Sequence, residues 1–174
     1  MKIMIISDSH GSNHYMLECI RVFEKDIDVI MHLGDHIDDV ADIRKEFPKI
    51  ETYAVAGNND YGIESSESIV DIGKHRFFLT HGHKYSPYSG IDRLRYKGLE
   101  VGANVVLYGH THATLAIKDE QEDLLVLNPG SISLPRSSNI KSFAILELDK
   151  NDRNLGVEYK FYGIFGDQIN EFRI

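Results

Sequence analysis

One cysteine, Cys19, stands in the 174 residues. No disulfide framework can therefore form within the chain. A lone thiol fits a reducing compartment, and a cytoplasmic location is expected. Long apolar runs are also absent. None approaches the roughly 20 residues of a membrane helix, so no membrane partner is expected. Met1-Lys2 leads straight into a strand-like segment without a small-residue cleavage site, which argues against a signal peptide. Positive charge is in deficit, with 19 Lys and Arg against 27 Asp and Glu and a net charge of −8. Such a balance repels polyanions, so extended nucleic-acid binding is not expected. It suits either plain solubility or a site that concentrates divalent cations. No repeat, low-complexity tract or Pro/Gly-rich linker divides the chain, and residues 1–174 read as one domain. A domain of this size buries about 70% of its unfolded surface and needs no covalent staples.

What is present is a series of short Ile- and Val-rich runs at 2–7, 28–33, 52–56, 76–80, 104–108 and 124–127. Near-continuous apolar runs of this length predict strands buried on both faces. Met16, Leu17, Ile20 and Phe23 mark one face of a helix over 13–25. A second helix is predicted near 38–47, ending before Pro48, and a third over roughly 89–101. Strand–helix–strand–helix–strand order at the start implies parallel strands with right-handed crossovers. The second half reads as hairpins: 68–72 with 75–80, 113–118 with 124–127, and 142–148 with 156–162 across the loop 149–155. The expected fold is α/β, with two sheets packed together and helices outside.

Five of the runs deliver Asp, Asn or His where the strand ends. They lead into Asp8-Ser9-His10, Gly34-Asp35, Gly57-Asn58-Asn59-Asp60, His81-Gly82-His83 and Gly109-His110-Thr111-His112. Ligands of open α/β sheets bind beyond the carboxyl ends of the strands. The neighbouring glycines allow sharp turns and close approach to a small ligand. Carboxylate oxygen, amide oxygen and imidazole nitrogen without thiolate suit divalent transition ions. Each element alone reads as an ordinary turn, and a Gly-Asp pair or Gly-Asn-Asn-Asp favours that plainer reading. All five in this order are hard to reach by chance.

In that order the motifs resemble the calcineurin-like metallophosphoesterase superfamily. The run Asn128-Pro129-Gly130-Ser131-Ile132-Ser133-Leu134-Pro135-Arg136 is similar to its small prokaryotic phosphodiesterase branch. The resemblance covers residues 1 to about 148 and implies a four-layer α-β-β-α sandwich of two mixed sheets. It implies one divalent ion held by Asp8, His10, Asp35 and His112, and a second held by Asp35, Asn58, His81 and His110. Asp35 would bridge the two. Mn²⁺ or Ni²⁺ is expected, with Fe, Co, Zn and Mg as alternatives. The implied reaction is hydrolysis of a small phosphodiester by a hydroxide bridging the metals. Asp60 would orient the neighbouring loop or a ligand. Many members carry His as the third residue of Gly-Asn-x-Asp, acting as general acid. This chain has Asn59, which cannot protonate a leaving alkoxide but can donate a hydrogen bond to a phosphoryl oxygen. Slower turnover or better leaving groups would follow.

The other histidines divide by position. His14 reads as a surface or capping group, His32 as a packed core group and His75 as solvated beside a hairpin turn. His36 and His83 either line the pocket or stand in for the absent acid. Arg136 reads as a surface loop arginine or a phosphate contact, and Cys19 as a small core residue. Two rival readings stay open. One is an interaction scaffold, as in a eukaryotic endosomal sorting-coat subunit that looks similar to the family. The other is a phosphomonoesterase on the same scaffold. A homo-oligomer is also left open.

Overall fold

In a computed structural model, residues 1–62, 65–136, 139–151, 157–165 and 168–173 are described. The first half alternates strand and helix: β1 (Lys2–Ile6), α1 (Asn13–Phe23), β2 (Val29–His32), α2 (Asp39–Glu46) and β3 (Glu51–Ala54). The hairpin of β4 (Glu67–Ile72) and β5 (His75–Thr80) follows. Two 3₁₀ turns, His83–Tyr85 and Pro87–Ser89, lead into α3 (Asp92–Glu100) and β6 (Val105–Leu107). The chain ends in β7 (Thr114–Asp119), β8 (Leu124–Pro129), β9 (Lys141–Leu148), β10 (Val157–Phe165) and β11 (Gln168–Phe172).

The strands form two mixed sheets. One has six strands in the order β11-β10-β9-β1-β2-β3, and the other has five in the order β4-β5-β6-β8-β7. Strands β1, β2 and β3 run parallel, as do β5, β6 and β8. Alternation along each strand explains the layers, because successive side chains point to opposite faces. Ile3, Ile5, Val29 and Met31 face inward and meet Phe77, Leu79, Val105 and Leu107 of the second sheet. Met4, Ile6 and Ile30 face outward and pack on Met16 and Ile20 of α1 and Ile43 of α2. Phe78, Val106 and Val126 pack outward on Leu94 of α3. Both faces of the central strands are thus buried, which accounts for their unbroken apolar runs. The result is the expected α-β-β-α sandwich. No helix among the described residues is long and apolar enough to cross a membrane.

Several details differ from the sequence reading. The third helix starts at Asp92 rather than at 89, because Pro87–Ser89 turn as a 3₁₀ helix and Gly90, at φ 122°, breaks the path. Strand β11 was not foreseen; its sequence, QINEF, is polar at an edge and carries little apolar signal. Of the third hairpin's loop, residues 152–156 lie outside the described residues. His75 is a correction. It is buried at 1% exposure rather than solvated. Its Nε2 bonds the Asp149 carbonyl at 2.8 Å and its Nδ1 meets the Asn104 amide at 3.0 Å. The turn at Gly73-Lys74 is covered by Lys150, whose carbonyl accepts from the Lys74 N–H, and that cover removes His75 from water.

Candidate metal centre

The parallel strands of both sheets end on one rim, and the loops beyond them cross-link. Asp8 N–H donates to the Gly34 carbonyl, His10 N–H to the Asp35 carbonyl, and Gly109 N–H to the His81 carbonyl. Six non-glycine residues of these loops have positive φ: Asp8, His10, Asp35, His36, His110 and His112, with φ of 57°, 47°, 57°, 99°, 65° and 57°. Such φ values are uncommon outside glycine and cost on the order of 1 kcal/mol or more each. The sharp reversal aims each side chain back across the strand end. Glycine is required where loops touch: a Cβ on Gly57 would collide with the Asp35 carboxylate, and one on Gly109 with Ser7 and Asp8.

Asp8, His10, Asp35 and His112 place one donor atom each within 4.8 Å of one another. His10 Nε2 is 3.1 Å from His112 Nε2 and 3.7 Å from Asp35 Oδ2. His112 Nε2 lies 3.1 Å from Asp8 Oδ1, as an ion-pair contact rather than a directed hydrogen bond. The tautomers decide what this arrangement wants. His112 Nδ1 is 2.6 Å from the Leu134 carbonyl and His81 Nδ1 is 2.7 Å from the Leu33 carbonyl. Each Nδ1 therefore carries the proton, and each Nε2 turns a lone pair toward a carboxylate. Two electron-rich atoms held face to face repel unless a proton or a metal cation lies between them; burial opposes a charge on His112, but the Asp8 carboxylate holds its imidazole above the ordinary value. Asp8 Oδ1 and His81 Nε2 are also buried with no hydrogen-bond partner. Oxygen and imidazole donors about 3 to 4 Å apart suit a shared divalent ion with bonds of roughly 2 Å. The residues present therefore fit a metal site. Asp8 is fully buried, which by itself would raise its carboxyl, but the His112 and His81 imidazoles, when they carry a proton in the place a metal cation would take, and the Ser7 hydroxyl hold it below the usual carboxylate range.

Of the second predicted donor set, His81 is fully buried and its Nε2 stands 3.3 Å from Asp35 Oδ1. His110 is half-buried, its ring edge-on to His81 at 5.1 Å between centroids. Burial and the neighbouring His81 push its imidazole below the ordinary value. Asn58 is exposed. The amide that meets Asp35 is that of Asn59, whose Nδ2 donates to Oδ2 at 2.7 Å and whose N–H donates to Oδ1 at 3.1 Å. Asp60 accepts four backbone N–H groups, from Asp35, His36, Ile37 and Gly57, at 2.7 to 2.9 Å. Burial opposes its charge, but these four bonds hold the carboxyl below its usual range and tie the third loop to the second.

The sequence did not reveal the role of the end of β8 and the segment after it. Asn128 Nδ2 donates to the Gly109 carbonyl at 2.7 Å and the Thr111 hydroxyl at 3.0 Å. Ser131 and Ser133 hydroxyls both donate to the Asp8 carbonyl at 2.8 Å. The segment thus fixes the Asp8 loop and the 109–112 loop from behind. Small polar residues buried directly after an apolar strand were the available signal. Of the remaining groups, His14 is exposed, and Cys19 and His32 are buried. His36 is exposed and pairs with Asp39 at 3.1 Å. His83 lies 5.5 Å from the His81 ring. Exposed Arg136 reaches the Tyr88 hydroxyl, and its N–H donates to the His112 carbonyl at 3.0 Å.

Known proteins resemble the chain over most of its length. A family model, the calcineurin-like phosphoesterase superfamily domain, matches residues 1–151. The chain is 32% identical over 175 residues to the probable metallophosphoesterase YsnB of Bacillus subtilis, covering 99% of this chain and 97% of that one. It is 30% identical over 170 residues to the phosphodiesterase MJ0936 of Methanocaldococcus jannaschii, covering 87% and 96%. Among solved structures, an uncharacterized protein of Streptococcus pneumoniae described as a predicted phosphoesterase aligns with TM-score 0.74 and 27% identity, over 98% of this chain and 96% of that one. Vps29 of Entamoeba histolytica, solved with zinc, aligns with TM-score 0.77 over 100% and 98% but at 19% identity, a likeness of fold alone. The chain belongs to the calcineurin-like phosphoesterase superfamily, a family that depends on divalent metals.

Proposed function

We propose that the chain is a one-domain phosphodiesterase working with two divalent cations, Mn²⁺ or Ni²⁺, on a small phosphate ester. The observation that carries this reading is the buried cluster of lone-pair donors facing one another around Asp35. Asp8, His10, Asp35 and His112 would hold one cation, and Asp35, Asn58, His81 and His110 the other. When bound, such a pair supplies Lewis acidity at phosphorus and lowers the pKa of water toward about 7. The protein supplies position. Leu33 and Leu134 carbonyls keep the protons of His81 and His112 on Nδ1, so Nε2 stays free to ligate. Asp60 locks the loops that carry Asp35 and Asn58 together. Asn59 keeps the Asp35 carboxylate oriented and offers no proton for a leaving alkoxide. Esters whose leaving group departs without a proton are therefore favoured.

A relative named as a phosphodiesterase supports the choice of diester. The scaffold reading has the Vps29 likeness behind it, but every donor position here carries a ligating side chain. The test is turnover of methyl p-nitrophenyl phosphate against p-nitrophenyl phosphate by the Mn²⁺-loaded protein. The diester should be the faster substrate, and Asp35→Asn should lower the rate at least about 100-fold. A rate unchanged in Asp35→Asn would sink the enzyme reading, and a preference for the monoester would overturn the diester one.

A further inference from the structure

Tyr88 stands on the 3₁₀ turn Pro87–Ser89, between Ser86 at φ 51° and Gly90 at φ 122°. It leaves 61% of its surface in solvent, unusual for a large ring with no core to join. Yet its position is firmly held. Its hydroxyl donates to the His110 carbonyl at 3.1 Å and accepts from the Arg136 guanidinium. Its ring lies 5.4 Å from the His110 ring, edge to face. Arg136 is in turn tied through its N–H to the His112 carbonyl. The ring is therefore anchored to the backbone of both His110 and His112, at the edge of the metal centre.

Beside it opens a cleft of about 540 Å³ lined by Pro87, Tyr88, Ile91, Leu115, Ile117 and Arg136 among others. Its exposed wall is mainly apolar, and Ile117 is 42% exposed there. An apolar recess with one anchored aromatic and one cation, whose Tyr88 wall also touches His110 of the candidate metal centre, matches a ligand that is anionic at one end and flat and apolar at the other. The cation need not pair with the phosphate; it pins the ring that forms one wall.

We infer that this cleft receives a planar aromatic ester group of the substrate, aryl or nucleobase, with Tyr88 as its stacking wall and a selector of specificity. The inference rests on the phosphoesterase reading and deepens it. It follows that the chain prefers aromatic phosphate esters to alkyl ones of equal charge, and that the preference resides in the Tyr88 ring and the space before Ile117.

Binding separates this from turnover. Phenyl phosphate and methyl phosphate, titrated by calorimetry into the Mn²⁺-loaded protein, present one phosphoryl group with and without a ring. Phenyl phosphate should bind roughly tenfold more tightly, the scale of one aromatic contact. Tyr88→Phe keeps the ring and should keep most of that ratio, whereas Tyr88→Ala should bring it near one. Ile117→Trp fills the cleft from the opposite wall without touching the His110 loop and should also abolish the ratio. Equal affinities in the unaltered protein, no binding of either ester, or a preference surviving both Tyr88→Ala and Ile117→Trp would overturn the inference. If the aryl preference holds while no diester is hydrolysed, the enzyme reading has failed and the cleft stands. A nucleoside monophosphate run beside phenyl phosphate distinguishes a nucleobase from a simple aryl group.

Discussion

The donors around Asp35 come in two sets with unequal backing. Asp8, Asp35 and His112 keep 4% or less of their surface, and the Asp8 and His112 loops are held from behind by Ser131, Ser133 and Leu134. In the other set His81 is as deeply placed, but His110 is half-buried and Asn58 is exposed. In the first set only His10 is partly open, at 24% of its side chain, and its other three donors are assembled by packing before any cation arrives. The second has one preset imidazole and two groups open to water. Preorganised ligands lose less freedom on binding, so the two halves should differ in affinity even though their donor chemistry is similar.

The largest expected effect breaks that contrast directly. His112→Ala should weaken the tighter of two Mn²⁺ binding steps by about 100-fold or more in a calorimetric titration, whereas His110→Ala should weaken only the looser step, by roughly tenfold. Equal losses in the two variants would show that burial does not rank the halves. Asp60 serves both sets by joining their loops. Asp60→Ala should cost roughly 2–3 kcal/mol in urea unfolding, because four backbone donors lose a charged acceptor, with part of the cost relieved by water. The sign with pH follows from its depressed carboxyl. Its contribution is complete above the unfolded value near 3.9 and is lost as pH falls through the lower folded value. The stability gap between the unaltered protein and Asp60→Asn should therefore narrow in acid below about pH 4. A gap constant across that range would remove charge from the explanation. The smallest effect belongs to Asn59. Asn59 itself is exposed and its side-chain bond to Asp35 only partly buried, so Asn59→Ala should lower turnover by no more than about tenfold. A larger loss would mean that Asn59 touches the substrate itself.

Much of this centre was legible from residue order. The motifs at Asp8, Asp35, Asn58, His81 and His110 each follow an apolar run, and those runs became β1, β2, β3, β5 and β6. A buried strand needs apolar side chains on both faces, so its end is visible as the place where that requirement stops. The third-helix start, β11 and the burial of His75 were not legible. Each depends on a neighbour elsewhere in the fold: Lys150 covers the turn beside His75, and β10 recruits a mostly polar strand by backbone pairing, by Phe172 against Phe161 and Phe165, and by the Lys160–Glu171 pair. Tyr88 was also unmarked, since nothing in the order Pro-Tyr-Ser ties it to His110.

By itself, the sequence determined the alternation of strand and helix, the apolar faces that stack into four layers, and the types of ligand at each strand end. These depend on local periodicity and on side-chain chemistry, which a linear string records. Tertiary structure alone decided that Asp8, His10, Asp35 and His112 converge within 4.8 Å, which histidine nitrogen is left free, and which half of the centre is buried. These depend on left-handed turns held by contacts between loops far apart in the chain. No single segment carries the information for a distance that two sheets must set together.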